Sequence, residues 1–135
     1  MMGVRAGSVT CMLVAAVALT GCSSSSDGSA SARARDFYQA LAAKDAHAAC
    51  ADLAAEARKA LEQQEHKSCT RVILGQGLPT TPGPARADVY GSGAQVRGTH
   101  DTAFLSRYGD GWRITAVGCK PTGTGQPYDC TIEVG

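Results

Sequence analysis

The sequence has little surplus charge and no apolar run long enough to cross a membrane. Among its 135 residues, 13 Lys and Arg stand against 12 Asp and Glu, a formal net charge of +1. A balance this close to zero provides no basic surface for a nucleic acid, so we expect no such partner. The apolar stretch 9–19 would cover about 16 Å as a helix, roughly half of a bilayer core. It is therefore too short for a stable membrane anchor.

Motifs for common chemistries are also missing. The sequence has no Cys-x-x-Cys pair and no Gly-Lys-Ser/Thr loop, and its cysteines lack the close pairing of zinc sites. The adjacent pair His100 and Asp101 falls in a predicted strand connection, where ordinary turn chemistry is expected. We therefore predict no catalytic set, no metal centre and no cofactor.

The N-terminal residues predict export. Arg5 precedes the apolar stretch, and Thr20 and Gly21 are the small residues of a cleavage site. The segment Leu19-Thr20-Gly21-Cys22 resembles the lipobox of bacterial lipoproteins. That resemblance implies cleavage between Gly21 and Cys22 and a diacylglycerol on the Cys22 thiol. We expect an exported protein held by lipid on the extracytoplasmic face of the cell membrane, with an ordinary secretory peptide as the alternative.

Composition divides the chain into three parts. Residues 1–21 form the signal peptide. Residues 22–32 are almost all Ser, Gly and Ala, and they have too little apolar surface to order themselves, so we predict a flexible tether. Residues 33–135 are enough for one domain with a single core.

Helical periodicity covers the first half of the domain. Ala34, Phe37, Tyr38 and Leu41 recur at helical spacing. Four segments are predicted between 33 and 74: one from 33 to about 43, one capped by Asp45 and running to Cys50, one on the stripe Leu53, Ala57, Ala60 and Leu61, and one at 69–74 that Ser68 caps and that could also form a strand.

After the Gly- and Pro-rich loop 75–84 the apolar period changes to two. Alternation and turn residues predict strands at 85–90, 94–97, 102–108, 111–119 and 128–134. The connections between the first four are short, which favours an antiparallel meander. The fold class is therefore α+β, with N-terminal helices packed on one face of a curved sheet.

Several segments together resemble small actinobacterial envelope lipoproteins. They are the Ala34-Arg35-Asp36-Phe37-Tyr38-Gln39-Ala40-Leu41 run, the Ala-rich stretch around Cys50, Asp110-Gly111-Trp112-Arg113-Ile114, and the pair Cys119 and Cys130. The resemblance implies a nuclear transport factor 2-like cone. Enzymes of that fold often use Asp, His or Tyr in the cavity; Asp36, Tyr38 and Tyr108 are counterparts by location alone, without a motif match, and no catalytic role is transferred to them. Phe37, Leu41, Phe104 and Trp112 are candidates to fill the cone.

Four cysteines remain after Cys11 in the signal and Cys22 under lipid. An even number in an exported domain predicts disulfides. Of three connectivities we favour Cys50 with Cys69 and Cys119 with Cys130, because both loops are short. Nineteen residues of unbroken helix would separate Cys50 and Cys69 by about 28 Å, whereas a bridge needs about 5.5 Å. The helices must therefore double back, with breaks expected at Asp52 and at 62–67.

Three arginines form a candidate anion or partner surface. Arg86, Arg97 and Arg113 have the polar parity of three strands that we take as adjacent, and an aligned register would make them a cationic stripe. The alternative is a solvated sheet face on which Asp88 pairs across the strands.

The sequence leaves three functions open. The first is a non-enzymatic envelope domain that binds a partner protein or a small ligand. The second is an enzyme that acts on a small molecule inside the cone. The third is an accessory or signalling subunit of a membrane complex.

Overall fold

The structure, a computed structural model, describes residues 25–80 and 85–135. It has the predicted α+β class, with helices first and an antiparallel sheet after them. The predicted signal peptide, the lipobox-like segment and Cys22 lie outside the described residues, as do residues 81–84 of the predicted loop. The helices in the described residues are α1 (Ser25–Ala42), α2 (Ala46–Asp52), α3 (Ala55–Glu65) and α4 (Cys69–Val72), followed by a 3₁₀ turn at Ile73–Gly75.

Helix α1 begins eight residues earlier than the sequence predicted. The expected tether ran to Ala32, but Ser25 already belongs to the helix. Ala30 is fully buried and continues the buried stripe of Ala34, Phe37 and Leu41 by one turn toward the N-terminus. The Ser- and Gly-rich composition therefore predicted a flexible linker, but small residues such as Ala30 let this part of the helix pack closely against the core.

The next helices confirm the predicted breaks. The Asp45 carboxylate accepts a hydrogen bond from the Ala48 N–H at 3.0 Å, which caps α2 as expected. Helix α2 ends at Asp52 and α3 ends at Glu65, followed by His66, whose φ of 54° is left-handed. The chain then doubles back, and the Cα atoms of Cys50 and Cys69 lie 6.1 Å apart across a disulfide.

The fourth helical segment is shorter than predicted, and the strand alternative is wrong. Ser68 stands at the N-cap of α4 without a capping side-chain hydrogen bond. A carboxylate oxygen of Glu62 accepts from the Cys69 N–H at 2.9 Å instead.

The sheet of the described residues has six strands, in the spatial order β1-β2-β3-β4-β5, with β6 also pairing with β4. All pairings between named strands are antiparallel. The strands are β1 (Arg86–Tyr90), β2 (Gly93–Arg97), β3 (Thr102–Tyr108), β4 (Gly111–Pro121), β5 (Tyr128–Asp129) and β6 (Ile132–Glu133).

The predicted last strand, 128–134, is divided in two. Between β5 and β6, Cys130 is tied by a disulfide to Cys119 on β4. β5 then pairs with the end of β4, and β6 pairs with its middle, at Ala116 and Val117. The two predicted disulfides are thus both present.

The core lies between the helices and one face of the sheet. Helix α1 packs on β1, β2 and β4. Alternate strand residues point toward the helices, and these are buried: Ala94, Val96, Ala103, Leu105, Trp112 and Ile114. Phe37, Leu41 and Trp112 are interior, as expected. Phe104 is not; it lies on the opposite parity, where its ring packs against Tyr128 at 5.1 Å between centroids.

Candidate functional site

A groove of about 580 Å³ lies between α1 and the end of the hairpin that β3 and β4 form. Its helical wall is a single stripe, because residues at i, i+3, i+4 and i+7 share one face of a helix. Its other wall is the strand ends and the Gly-containing turn that joins them. The lining residues are Ser29, Ala32, Arg33 and Asp36 on α1, and Arg107, Tyr108, Gly109, Gly111 and Trp112 on the hairpin.

Arg33 fixes the floor of this groove. Its Nε donates to the Trp112 carbonyl at 2.9 Å, and its NH1 donates to the Asp52 carboxylate at 2.6 Å. One guanidinium thereby joins α1, the end of α2 and β4. Burial raises the pKa of Asp52, an effect that the Arg33 hydrogen bond and charge oppose. The Arg33 charge is already paired within the protein.

Arg107 on β3 is the cross-strand partner of Trp112 on β4, and its guanidinium carbon is 4.7 Å from the centre of the indole ring. This is a cation-π contact, which holds the planar group over the ring. Within residues 25–80 and 85–135, the Arg107 guanidinium has no ion pair, and neither has the Asp36 carboxylate. The groove thus presents one cationic and one anionic group whose charges are not paired.

A second groove, of about 380 Å³, lies on the other side of the hairpin end, against the start of α3. Tyr108 lines both grooves. Burial, followed by the charge and the hydrogen bond of Glu56, raises the pKa of the Tyr108 phenol. Arg113 also lines this groove and donates to Asp110 at 2.9 Å and to the Trp112 carbonyl at 3.0 Å.

The structure does not form the predicted arginine stripe. Arg86 and Arg97 are cross-strand partners at one end of β1 and β2. Arg113 stands on β4, opposite Ser106, with β3 between it and β2. The three strands that carry these arginines, β1, β2 and β4, are therefore not all adjacent, because β3 lies between β2 and β4.

The ion pairs of β1 and β2 fit the alternative interpretation, a solvated sheet face on which Asp88 pairs across the strands. Arg97 bonds to Asp88, and the Arg86 side chain is 80% exposed beside the same carboxylate. Like charges on cross-strand partners are destabilising, and Asp88 offsets that repulsion. Arg86 and Arg97 thus share the Asp88 carboxylate, whereas Arg113 lies on β4 and pairs with Asp110, so the three side chains do not form one continuous stripe.

Asp101 has a structural role that turn chemistry did not predict. Its neighbour His100 is exposed, but Asp101 is buried and accepts hydrogen bonds from the Tyr38 hydroxyl and the Gly118 N–H. Tyr38, which matched a cavity residue by location, is thus bonded to Asp101. In the described residues no cluster of three His, Cys, Asp or Glu is arranged to hold a metal ion.

Sequence reasoning missed Arg33 and Arg107 as functional candidates. The signal for Arg33 was present, since Ser29, Ala32, Arg33 and Asp36 share helical spacing that the assumed tether concealed. Arg107 had no such signal. Its contact with Trp112 depends on the register of the β3–β4 hairpin.

No protein-family model, curated protein or solved structure matches this chain. No helix within residues 25–80 and 85–135 combines the length and apolar character that crossing a membrane requires.

Proposed function

We propose that this chain is an exported lipoprotein, anchored through Cys22 to the extracytoplasmic face of the cell membrane, whose domain is a non-enzymatic binding module. Its ligand occupies the groove between α1 and the β3–β4 hairpin. The carrying observation is that this concave surface presents Asp36 and Arg107 without ion-pair partners in the described residues. Charged groups that converge on a groove without pairing favour a polar ligand.

Two features support the location. The domain contains two disulfides, and disulfides persist in oxidising compartments outside the cytoplasm. The export signal and the Leu19-Thr20-Gly21-Cys22 segment supply the route and the anchor. Oxidised cysteines and a lipid anchor belong together in the bacterial envelope.

We also propose that the domain is a nuclear transport factor 2-like cone. The order of its elements supports this, because the helices precede an antiparallel sheet and the longest helix, α1, packs across several strands. The open end of such a cone is where a ligand groove is expected. A crystal structure with a sheet that does not curve around α1 would contradict this assignment.

The anchor is tested by a Cys22→Ser variant of the full chain in a bacterium that processes lipoproteins. We expect it to lose fatty-acid labelling and to leave the membrane fraction. Cys11→Ser is the matched control, since Cys11 precedes the expected cleavage point and its loss leaves the lipid acceptor in place. Unchanged labelling and location of the Cys22→Ser protein would overturn the anchor.

The groove is tested by titrating the isotope-labelled protein with small anions, cations, zwitterions and neutral compounds while amide chemical shifts are recorded. We expect shifts at 29–36 and 107–112. Ala32→Trp places a bulky side chain in the groove and should abolish them, whereas Ala42→Trp, at an exposed position of the same helix, should not. Shifts confined to other surfaces, or unaffected by Ala32→Trp, would refute the groove as the binding place.

A further inference from the structure

The groove between α1 and the β3–β4 hairpin contains two opposite charges that do not neutralise each other. Of its three charged lining residues, Arg33 is paired with Asp52. The other two are exposed: Asp36, on the helical wall, and Arg107, on the strand wall. The structure forms no ion pair between them.

This arrangement disfavours a simple ion. An anion bound to Arg107 would lie in the same groove as the Asp36 carboxylate and would be repelled by it. A cation bound to Asp36 would be repelled by Arg107 for the same reason. A molecule that carries both an ammonium and an anionic group satisfies both side chains at once.

The contacts around Arg107 favour an oxyanion as the anionic group. The Arg107 guanidinium carbon lies 4.7 Å over the centre of the Trp112 ring, and a guanidinium carries five N–H donors in its own plane. Such a fork bonds two oxygens of a phosphate or carboxylate together.

We infer that the groove binds a zwitterion, with its ammonium on Asp36 and its phosphate or carboxylate on Arg107. The inference rests on the proposed function and narrows its ligand to one class. This chemistry occurs in phospholipid headgroups and in free zwitterions such as phosphoethanolamine or amino acids.

The proposed anchor brings such headgroups close. Cys22 and Ser25 are three Cα–Cα steps apart, which limits their Cα distance to about 11 Å, and Ser29 is one helical turn further, about 6 Å. Ser29 lines the groove. One end of the groove therefore lies within about 17 Å of the lipid-bearing residue.

The test is calorimetry on the lipidated protein in detergent, with O-phosphoethanolamine as the probe and with inorganic phosphate and ethanolamine as its two halves. We expect the zwitterion to bind about tenfold more tightly than either half, since a hydrogen-bonded charge pair contributes that much. Trp112 is the one tryptophan of the chain, so a change in its fluorescence locates the ligand at the groove.

Two variants measure how much Asp36 and Arg107 each contribute to ligand binding. Asp36→Asn and Arg107→Gln should each weaken O-phosphoethanolamine binding about tenfold. Asp129→Asn and Arg71→Gln alter exposed residues outside the groove and should leave it unchanged. Thermal unfolding of all four proteins verifies that they are folded.

Repeating the titration in vesicles identifies the source of the ligand. Weaker apparent binding in phosphatidylethanolamine vesicles than in phosphatidylglycerol vesicles would mean that bilayer headgroups occupy the groove. Equal binding in both would assign it to a free zwitterion. Phosphate that binds as well as the zwitterion, and more tightly to Asp36→Asn, would overturn the zwitterion while leaving a binding groove. Absence of any groove ligand would overturn both.

Discussion

The Tyr38 hydroxyl donates to the Asp101 carboxylate, whose two oxygens lie 2.9 and 2.8 Å away, across 63 residues of sequence. The same carboxylate accepts the Gly118 N–H at 2.9 Å. Tyr38 is 7% exposed and Asp101 is 8% exposed. A buried carboxylate must have its hydrogen bonds satisfied, and here they join α1, the β2–β3 connection and β4.

The Tyr38→Phe variant should lose about 1 to 3 kcal/mol of unfolding free energy, because it leaves the buried Asp101 carboxylate with one donor fewer. Urea unfolding at neutral pH measures the loss. Tyr90→Phe is the matched control, since Tyr90 is 69% exposed and should change stability by less than about 0.5 kcal/mol. Equal losses in the two variants would show that the hydrogen bond to Asp101 contributes nothing.

The same pair predicts how stability responds to alkaline pH. Burial first, and then the charge and hydrogen bond of Asp101, raise the pKa of Tyr38 above its ordinary 10.0. The stabilisation is therefore complete below pH 10.0 and is lost as the pH rises above it, because the unfolded chain ionises first. Between about pH 8 and about pH 11, wild type should lose stability more steeply than Tyr38→Phe. Parallel curves would contradict the shift.

Local sequence patterns predicted most of the helices and strands, because caps and the spacing of apolar residues act between neighbours in the chain. The cap at Asp45 and the alternation of Ala94 and Val96 with Gln95 depend on neighbours in sequence, and both are found as expected. The first turns of α1 were missed because Ala30 becomes a core residue only through tertiary contact. Phe104 was misplaced for a similar reason, since its partner Tyr128 is distant in sequence.

The candidate site was less predictable than the fold. The alternation of polar and apolar residues placed Arg86, Arg97 and Arg113 on the polar side of their strands, but alternation does not give the order of strands in a sheet. The position of Arg113 depends on β3 lying between β2 and β4. The contact of Arg107 with Trp112 likewise required the hairpin register.

Gly118 should tolerate no side chain. Its φ is +70°, and a Cβ there would stand 2.8 Å from a methyl carbon of Leu78 and closer still to the Thr131 hydroxyl. Gly118→Ala should cost about 2 to 4 kcal/mol, from backbone strain and overpacking together. Gly125→Ala separates the two effects, since its φ is +71° but nothing lies within 4 Å of its Cβ position. Urea unfolding should show a clearly smaller loss for Gly125→Ala; equal losses would mean that crowding at Gly118 is relieved.

The disulfide between Cys50 and Cys69 should be the main constraint on the helical half. It joins α2 to the start of α4 across 19 residues, and both cysteines are buried. Replacing both by Ala should lower the unfolding free energy by about 3 kcal/mol, since the unfolded chain regains the freedom of that loop. Replacing Cys119 and Cys130 by Ala, a pair 11 residues apart, should cost slightly less by the same argument.

Peptide mapping without reductant checks the pairing itself. Digestion of the wild-type protein should release Cys50 joined to Cys69 and Cys119 joined to Cys130. In the single variant Cys50→Ala, the Cys69 thiol should resist alkylation until urea is added, because Cys69 is 2% exposed. Rapid alkylation of the native variant would mean that the bridge, rather than packing by its neighbours, keeps α4 against α2.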